Sequence, residues 1–338
     1  MTDLLPAGKL PATLLQRFLR DYIQADPSII VGPAVGEDAT VIDFEGRYLI
    51  AKTDPITFAT DEIGWYAVNV NANDIACSGG EPRWFLATAL LPAGRADATM
   101  AERIFEQITR ACRELGVILC GGHTEITEGI DRPIIAGLML GQVTPAHLIR
   151  TAGAQVGDAV ILTKGIAVEG TALIARERAD ELAGEFDSDF LARCRHLLYD
   201  PGISVVRDAR ILRQCADIHA LHDPTEGGLA TALYELATAA GVGLRIEAAQ
   251  IPVLAETEQL CRKYDLDPLG LIASGALLAT LPAEQAAGAI EALHAAGIRA
   301  SVIGRVTPAE CGVRLVRGGD ETPAPTFARD EIARLFSA

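Results

Sequence analysis

Apolar residues recur at helix spacing between Pro11 and Gln24, where Leu14, Leu15, Phe18, Leu19, Tyr22 and Ile23 share one face of an amphipathic helix. Shorter apolar runs follow. Val41 to Phe44 and Tyr48 to Ala51 flank Glu45-Gly46 and predict a hairpin. Trp65, Val68, Ala72, Ile75 and Ala76 return to helix spacing, Gly79-Gly80 stops that helix, and Pro82 bars its return. Arg83 to Leu91 reads as a buried strand. Residues 97–115 form a second amphipathic helix, with Met100, Ile104, Ile108, Cys112 and Leu115 on one face and Gly116 as its cap. Val117 to Cys120 predicts a short strand running into a polar turn, and Pro133 to Val143 a further strand. This order suits an α+β domain with helices on one face of a largely antiparallel sheet.

Thr151 to Gly157 marks the expected boundary. Beyond it, strands at 159–163, 217–221, 243–247, 270–280, 298–305 and 312–317 alternate with helices at 168–180, 187–197, 203–215, 226–240, 254–263 and 283–296, a second α/β unit. The expected domains are therefore 1–150 and 151–317, followed by a tail, 318–338, that holds Pro323 and Pro325 and ends in a short helix. Residues 1–8 read as a loose arm, and no repeat of fixed period is found.

Composition narrows the function. The chain has 338 residues, 49% hydrophobic and 22% charged, with a net charge of −16. An acidic surface argues against nucleic-acid or anionic-membrane partners, which need a basic face. A nucleotide remains compatible, because bound Mg²⁺ offsets local carboxylates. No segment reaches the length of a membrane span and the first residues lack a leader pattern, so a cytoplasmic protein is expected. The seven cysteines are scattered without C-x-x-C spacing, which fits free thiols better than disulfides or a zinc site.

Polar residues gather at the ends of the predicted elements, where a scaffold places chemistry. Asn69, Asn71, Asn73 and Asp74 crowd one apolar helix although Asn and Asp are poor helix-interior residues. Asp74 is a candidate metal ligand with Asn73 beside it; equally, the amides could satisfy neighbouring backbone. Asp38 follows Gly36, and Asp54 precedes Pro55, either as a ligand or as an ordinary turn residue. His123 and Glu125 follow Gly121-Gly122. His222-Asp223-Pro224-Thr225-Glu226-Gly227-Gly228 leads from a strand into a helix, with Asp223 and Glu226 placed either for chemistry or as a capping box with Pro224 at the first helical position. Gly8-Lys9 could touch a phosphate. Neither a Walker A loop nor a G-x-G-x-x-G fingerprint occurs, so phosphates would be held through Mg²⁺ and carboxylates.

Taken in order, Gly36-Glu37-Asp38-Ala39, Thr53-Asp54, Asn73-Asp74-Ile75-Ala76, Gly121-Gly122-His123-Thr124-Glu125 and the 222–228 turn resemble the aminoimidazole ribonucleotide (AIR) synthetase superfamily, over residues 8 to 317. Lys164-Gly165 with Glu169-Gly170-Thr171 makes its HypE-type hydrogenase-maturation branch the nearest. The resemblance implies an N-terminal domain that closes a β-barrel with its copy in a homodimer, an α/β C-terminal domain, and ATP bound with Mg²⁺. It implies Asp38, Asp54, Asp74 and Asp223 as metal ligands. Lys9, Asn73, Gly121, Gly122, His123 and Thr124 become nucleotide contacts, and Lys164, Glu169 and Glu226 acceptor-side catalytic groups. His123 stands where many relatives carry an acid, and Glu226 where some carry Arg. The HypE-type tail ends in Pro-Arg-x-Cys, whereas this sequence ends Arg334-Leu335-Phe336-Ser337-Ala338 and its last cysteine is Cys311. Self-modification at a terminal thiol is therefore not expected simply to carry over. The expected activity is ATP-dependent activation of an amide-type oxygen, on a small molecule or a partner's group. The alternatives are a small-molecule kinase like thiamine monophosphate kinase, and a nucleotide-binding maturation or scaffold protein with little turnover.

Overall fold

The computed structural model of the chain describes residues 10, 12–23, 26–34 and 36–336. It divides into two units, one of Pro27–Gly32 and Asp38–Leu148, the other of Ile149–Ala338 with Met1–Asp26 and Pro33–Glu37. The amphipathic helix α1 (Ala12–Tyr22) belongs to the second of these.

The first unit runs β1 (Ile29–Val31), β2 (Thr40–Phe44), β3 (Arg47–Ile56), α2 (Ile63–Cys77), β4 (Glu81–Pro92), α3 (Ala98–Leu115), β5 (Ile118–Thr127) and β6 (Ile134–Val143). Its six strands lie in the order β1-β2-β3-β6-β4-β5, antiparallel except for the β4–β5 pair. The sheet does not close into a barrel among the described residues. Helix α2 is buried along its whole length, which accounts for apolar residues on every side of it. Two glycines on β6 decide where it lies: a Cβ on Gly137 would meet Asn71 Nδ2 at 2.5 Å, and one on Gly141 would meet Ile75 Cγ2 at 2.2 Å. Only bare backbone admits the i, i+4 pair Asn71 and Ile75 so close to the sheet.

The other sheet face is apolar and only half-buried. Cross-strand pairing puts Trp84 beside Leu140, Leu86 beside Leu138 and Leu90 beside Ile134 on that side, while Phe85, Met139 and Ile135 turn toward α2. Both faces of edge strand β5 are largely exposed, including Ile118 and Ile126. The short strand and polar turn expected at 117–125 are one ten-residue strand, held by parallel pairing of Trp84–Pro92 with Ile118–Thr127.

The second unit continues with β7 (Ala159–Thr163), α4 (Val168–Glu177), α5 (Ala179–Leu182), α6 (Ser188–His196), α7 (Val206–Cys215), β8 (Ala220–His222) and α8 (Gly228–Ala240). It ends with β9 (Gly243–Glu247), α9 (Ala255–Tyr264), β10 (Leu278–Leu281), α10 (Ala286–Ala295), β11 (Ala300–Thr307), β12 (Val313–Arg317), β13 (Asp320–Pro323) and α11 (Ala333–Phe336). The seven strands order as β13-β12-β9-β11-β7-β10-β8. Leu233 and Leu236 of α8 pack with Val160, Leu162, Ile246, Leu278 and Ile303 of the sheet. The strand expected over 270–280 is reduced to β10. The preceding apolar residues instead form a buried turn, with Gly270 under the Phe327 ring and Leu269 and Leu271 carbonyls against Gly228. Residues 320–336 complete this unit: β13 pairs with β12, and Ala324 N–H donates to Val313 O at 2.9 Å.

Candidate functional site

In the first unit, strand alternation points Ile50, Lys52 and Asp54 toward α2. Beyond Ala51, β3 has outrun β2, whose pairing begins at Thr40–Ala51. The Asn71 side chain takes over that edge: its Oδ1 accepts Asp54 N–H at 2.8 Å, and its Nδ2 donates to Asp54 O at 3.2 Å and Ala67 O at 2.8 Å. Asn69 Nδ2 donates to Trp65 O at 2.9 Å. Two of the three asparagines therefore satisfy backbone, and Asn71 also fixes the strand that carries Asp54.

Asp54 is not a turn residue but lies inside β3, opposite Gly137 of β6. Its Oδ2 stands 3.3 Å from Lys52 Nζ, and Asp74 Oδ1 stands 3.2 Å from the same ammonium. Asp74 is buried on α2, and Asn73 beside it is fully buried. Asp38 is half-buried ahead of β2, with a carboxylate oxygen within 4.8 Å of the buried Cys77 sulfur. Gly121, Gly122, His123 and Thr124 are strand residues on β5, lining a groove of about 190 Å³ with Phe105 and Ile108 of α3. His123 Nε2 lies 3.5 Å from Glu125 Oε2, both exposed. Lys9 lies outside the described residues.

In the second unit, Lys164 follows the end of β7, with a left-handed backbone at φ 59°. The turn sends its side chain inward, where Nζ lies 3.3 Å from Asp208 Oδ2 and donates to the carbonyls of Gly202 and Ser204. Glu169 enters on the first turn of α4 and is also buried; its Oε2 accepts Ser274 N–H at 3.2 Å. Burial pushes the Glu169 carboxyl up to about 7, and the charges of Asp330 and Glu226 add to the rise. Lys164 and Glu169 thus have separate partners.

The capping-box reading of Asp223 to Glu226 fails. Helix α8 begins at Gly228, and its N-cap is Gly227 with φ 80°, a left-handed conformation suited to glycine. Asp223 and Glu226 instead belong to a loop, with Asp223 buried. His222, also buried, places Nε2 3.1 Å from Glu235 Oε2. The loop is held from the far end of the chain: Asp330 Oδ2 accepts Gly227 N–H at 2.6 Å, while Oδ1 accepts Ile272 N–H at 3.2 Å and Ile332 N–H at 2.8 Å. Lys52, Asp208 and Asp330 were missed by sequence reasoning. Period-two alternation along β3 could have exposed Lys52; no local pattern signals the other two.

Of the cysteines, Cys77, Cys112, Cys194 and Cys261 are buried, whereas Cys120, Cys215 and Cys311 are exposed. Burial pushes the thiols of Cys112, Cys194 and Cys261 up to about 12, which disfavours the nucleophilic thiolate.

These features define a two-unit α+β protein with carboxylates gathered around a cation in the first unit and buried acids beside a glycine turn in the second. Residues 36–143 match the family model of the AIR synthase related protein N-terminal domain, and residues 155–316 that of its C-terminal domain. The chain belongs to the AIR synthase related protein family. It is 33% identical to carbamoyl dehydratase HypE of Cupriavidus necator, across 77% of this chain and 74% of that protein. A putative hydrogenase expression/formation protein of Methanocaldococcus jannaschii is 28% identical over 89% of this chain and 90% of its own length. A crystal structure of hydrogenase maturation protein HypE in complex with ATP superposes with a TM-score of 0.71 at 25% identity, covering 96% of this chain and 97% of the other.

Proposed function

We propose that this protein binds ATP with Mg²⁺ and uses it to activate an amide-type oxygen, or to phosphorylate a small acceptor. The observation that carries the reading is the convergence of Asp54 and Asp74 on one ammonium group. Carboxylate oxygens already gathered about a positive charge suit Mg²⁺, which takes hard oxygen ligands. Asp38, Asp54 and Asp74 would hold the ion, with Asn73 as a polar neighbour; Asp223 is the acidic ligand proposed from the loop of the second unit. When bound, Mg²⁺ would neutralise phosphate charge.

The chain's own groups are assigned the remaining work. Exposed donors of Gly121, Gly122, His123 and Thr124, and Lys9 near the start of the chain, are proposed to contact the nucleotide. Glu169, with its carboxyl near neutrality, is suited to hold or release a proton at Oε2, with Glu226 nearby. Lys164, buried and engaged by Asp208 and the Gly202 and Ser204 carbonyls, is proposed to act on the acceptor side by holding the turn after β7 in place. The relatives named as HypE favour the amide branch. The acceptor is proposed to come from a partner protein or a free metabolite rather than from a cysteine of this chain.

A homodimer is the proposed assembly. The half-buried apolar face carrying Trp84, Leu86, Leu138 and Leu140, beside the open edge of β5, is a surface that a second copy would cover. No helix among the described residues is long and apolar enough to cross a membrane, and a cytoplasmic setting is proposed. Calorimetry with a non-hydrolysable ATP analogue, with and without Mg²⁺, tests the central reading. Binding that requires the metal is expected, and no binding at millimolar analogue would overturn it. Product analysis with ATP then separates the branches: a phosphorylated acceptor, a dehydrated one, or no turnover.

A further inference from the structure

No motif singles out Lys52, yet its ammonium is the centre of the first unit's carboxylate cluster. Lys52 and Asp54 sit two residues apart on β3 and face the same way. Asp74 approaches from α2, so the three side chains come from two elements that Asn71 ties together. The Lys52 side chain is 19% exposed and that of Asp74 only 6%. Two carboxylates drawn together in such partly desolvated surroundings repel unless a cation lies between them. The ammonium supplies that charge, and it takes up lone pairs on Asp54 Oδ2 and Asp74 Oδ1 that a metal ion would also need. A lysine head is a compact point charge on a flexible four-carbon stem, so it can leave this position without backbone movement.

We propose that Lys52 is an internal counter-ion of the metal site. It keeps Asp54 and Asp74 close together while the site holds no metal. When a divalent ion arrives with a phosphate-bearing ligand, the ammonium leaves the carboxylates and pairs with a phosphate oxygen. Metal alone then binds weakly, since it must displace a cation already held by two carboxylates. Metal and nucleotide bind with positive coupling, because the phosphate receives the displaced charge. Asp54 and Asp74 as metal ligands and the phosphate-bearing ligand both rest on the proposed function; the Mn²⁺ measurement tests the first apart from the second.

The test uses Mn²⁺ as the probe ion, with free Mn²⁺ read by electron paramagnetic resonance on the full chain without nucleotide. Lys52→Met keeps the stem and removes the charge. Its Mn²⁺ affinity is expected to rise about tenfold over wild type, and the coupling between Mn²⁺ and a non-hydrolysable ATP analogue to fall toward one. Lys52→Arg, which retains the charge, is expected to keep the weak metal binding. Lys52→Gln replaces the Met variant should the latter fail to fold by circular dichroism. A folded neutral variant that binds Mn²⁺ no more tightly than wild type overturns the counter-ion role. If the analogue binds wild type while Mn²⁺ affinity is the same in both proteins, the inference fails and the ATP reading stands. A gain in Mn²⁺ affinity with no analogue binding by either protein supports the counter-ion role and rejects the ATP reading.

Discussion

Replacing Asp330 with asparagine should change how the stability of the second unit depends on pH. Asp330 is only 8% exposed and accepts three backbone N–H groups, from Gly227, Ile272 and Ile332. Burial pushes its carboxyl up from 3.8 to about 6; the amides pull the other way but do not prevail, and the charge of Glu226 adds to the rise. Between these two values the folded protein keeps a proton that the unfolded chain has lost. Stability from this group is therefore full below the unfolded value, falls as pH rises through the window, and levels off above the folded value. A shift of about two units at roughly 1.36 kcal/mol each amounts to about 3 kcal/mol. Asp330→Asn keeps the volume and cannot ionise. The unfolding free energy of wild type relative to the variant should thus fall by about 3 kcal/mol from about pH 4 to about pH 7. Glu169 adds with the same sign, since part of its own rise comes from the Asp330 charge. Urea unfolding followed by far-UV circular dichroism is the assay. Tryptophan fluorescence would report the wrong unit, because Trp65 and Trp84 both lie in the first. A difference that stays constant across this range, or that moves in favour of wild type, refutes the reasoning.

Asp74→Asn removes a hard anionic ligand at constant size, so Mg²⁺-dependent binding of the ATP analogue should weaken about tenfold or more with the melting temperature little changed; equal affinity by calorimetry would count against the metal assignment. Sedimentation should show a dimer at micromolar concentration, and Leu138→Asp on the half-buried sheet face should dissociate it. A stable wild-type monomer would remove the dimer. Asn71→Leu strips two partners from the Asp54 backbone and should destabilise the first unit by about 2–6 kcal/mol, at about 1–3 kcal/mol for each group left unsatisfied; a loss below about 1 kcal/mol by tryptophan fluorescence would refute the clamp.

The Asn-rich helix was legible because its stops, Gly79-Gly80 and Pro82, are local, and residues 63–77 are helical as its spacing predicts. The strand at 134–143 was equally plain from its apolar run. Residues 121–125 were misread because Gly-Gly followed by polar side chains resembles a turn; the strand exists through pairing with β4, which local sequence does not encode. The 222–228 turn failed for a related reason. Asp-Pro-Thr-Glu imitates a capping box, but the loop is fixed instead by Asp330, more than a hundred residues away. Among the candidate site residues, Asp74 stood out as an acid in an apolar helix, and Asp38, Asp54 and Asp223 as acids near Gly or Pro. Their partners did not, since Lys52, Asp208 and Asp330 become meaningful only when distant segments meet.

The Asn71 amide makes α2 a surrogate strand. At Asp54 the sheet's ladder is continued by a side chain, so this one backbone proton is shielded by a helix and not by a neighbouring strand. Its exchange with deuterium is then timed by undocking of α2, independently of fraying at the ends of β2. Asp74 lies three residues beyond Asn71 on the same helix, so a ligand that grips Asp74 should slow exchange at Asp54. A single amide resonance thereby becomes a spectroscopic gauge of how firmly the helix is seated.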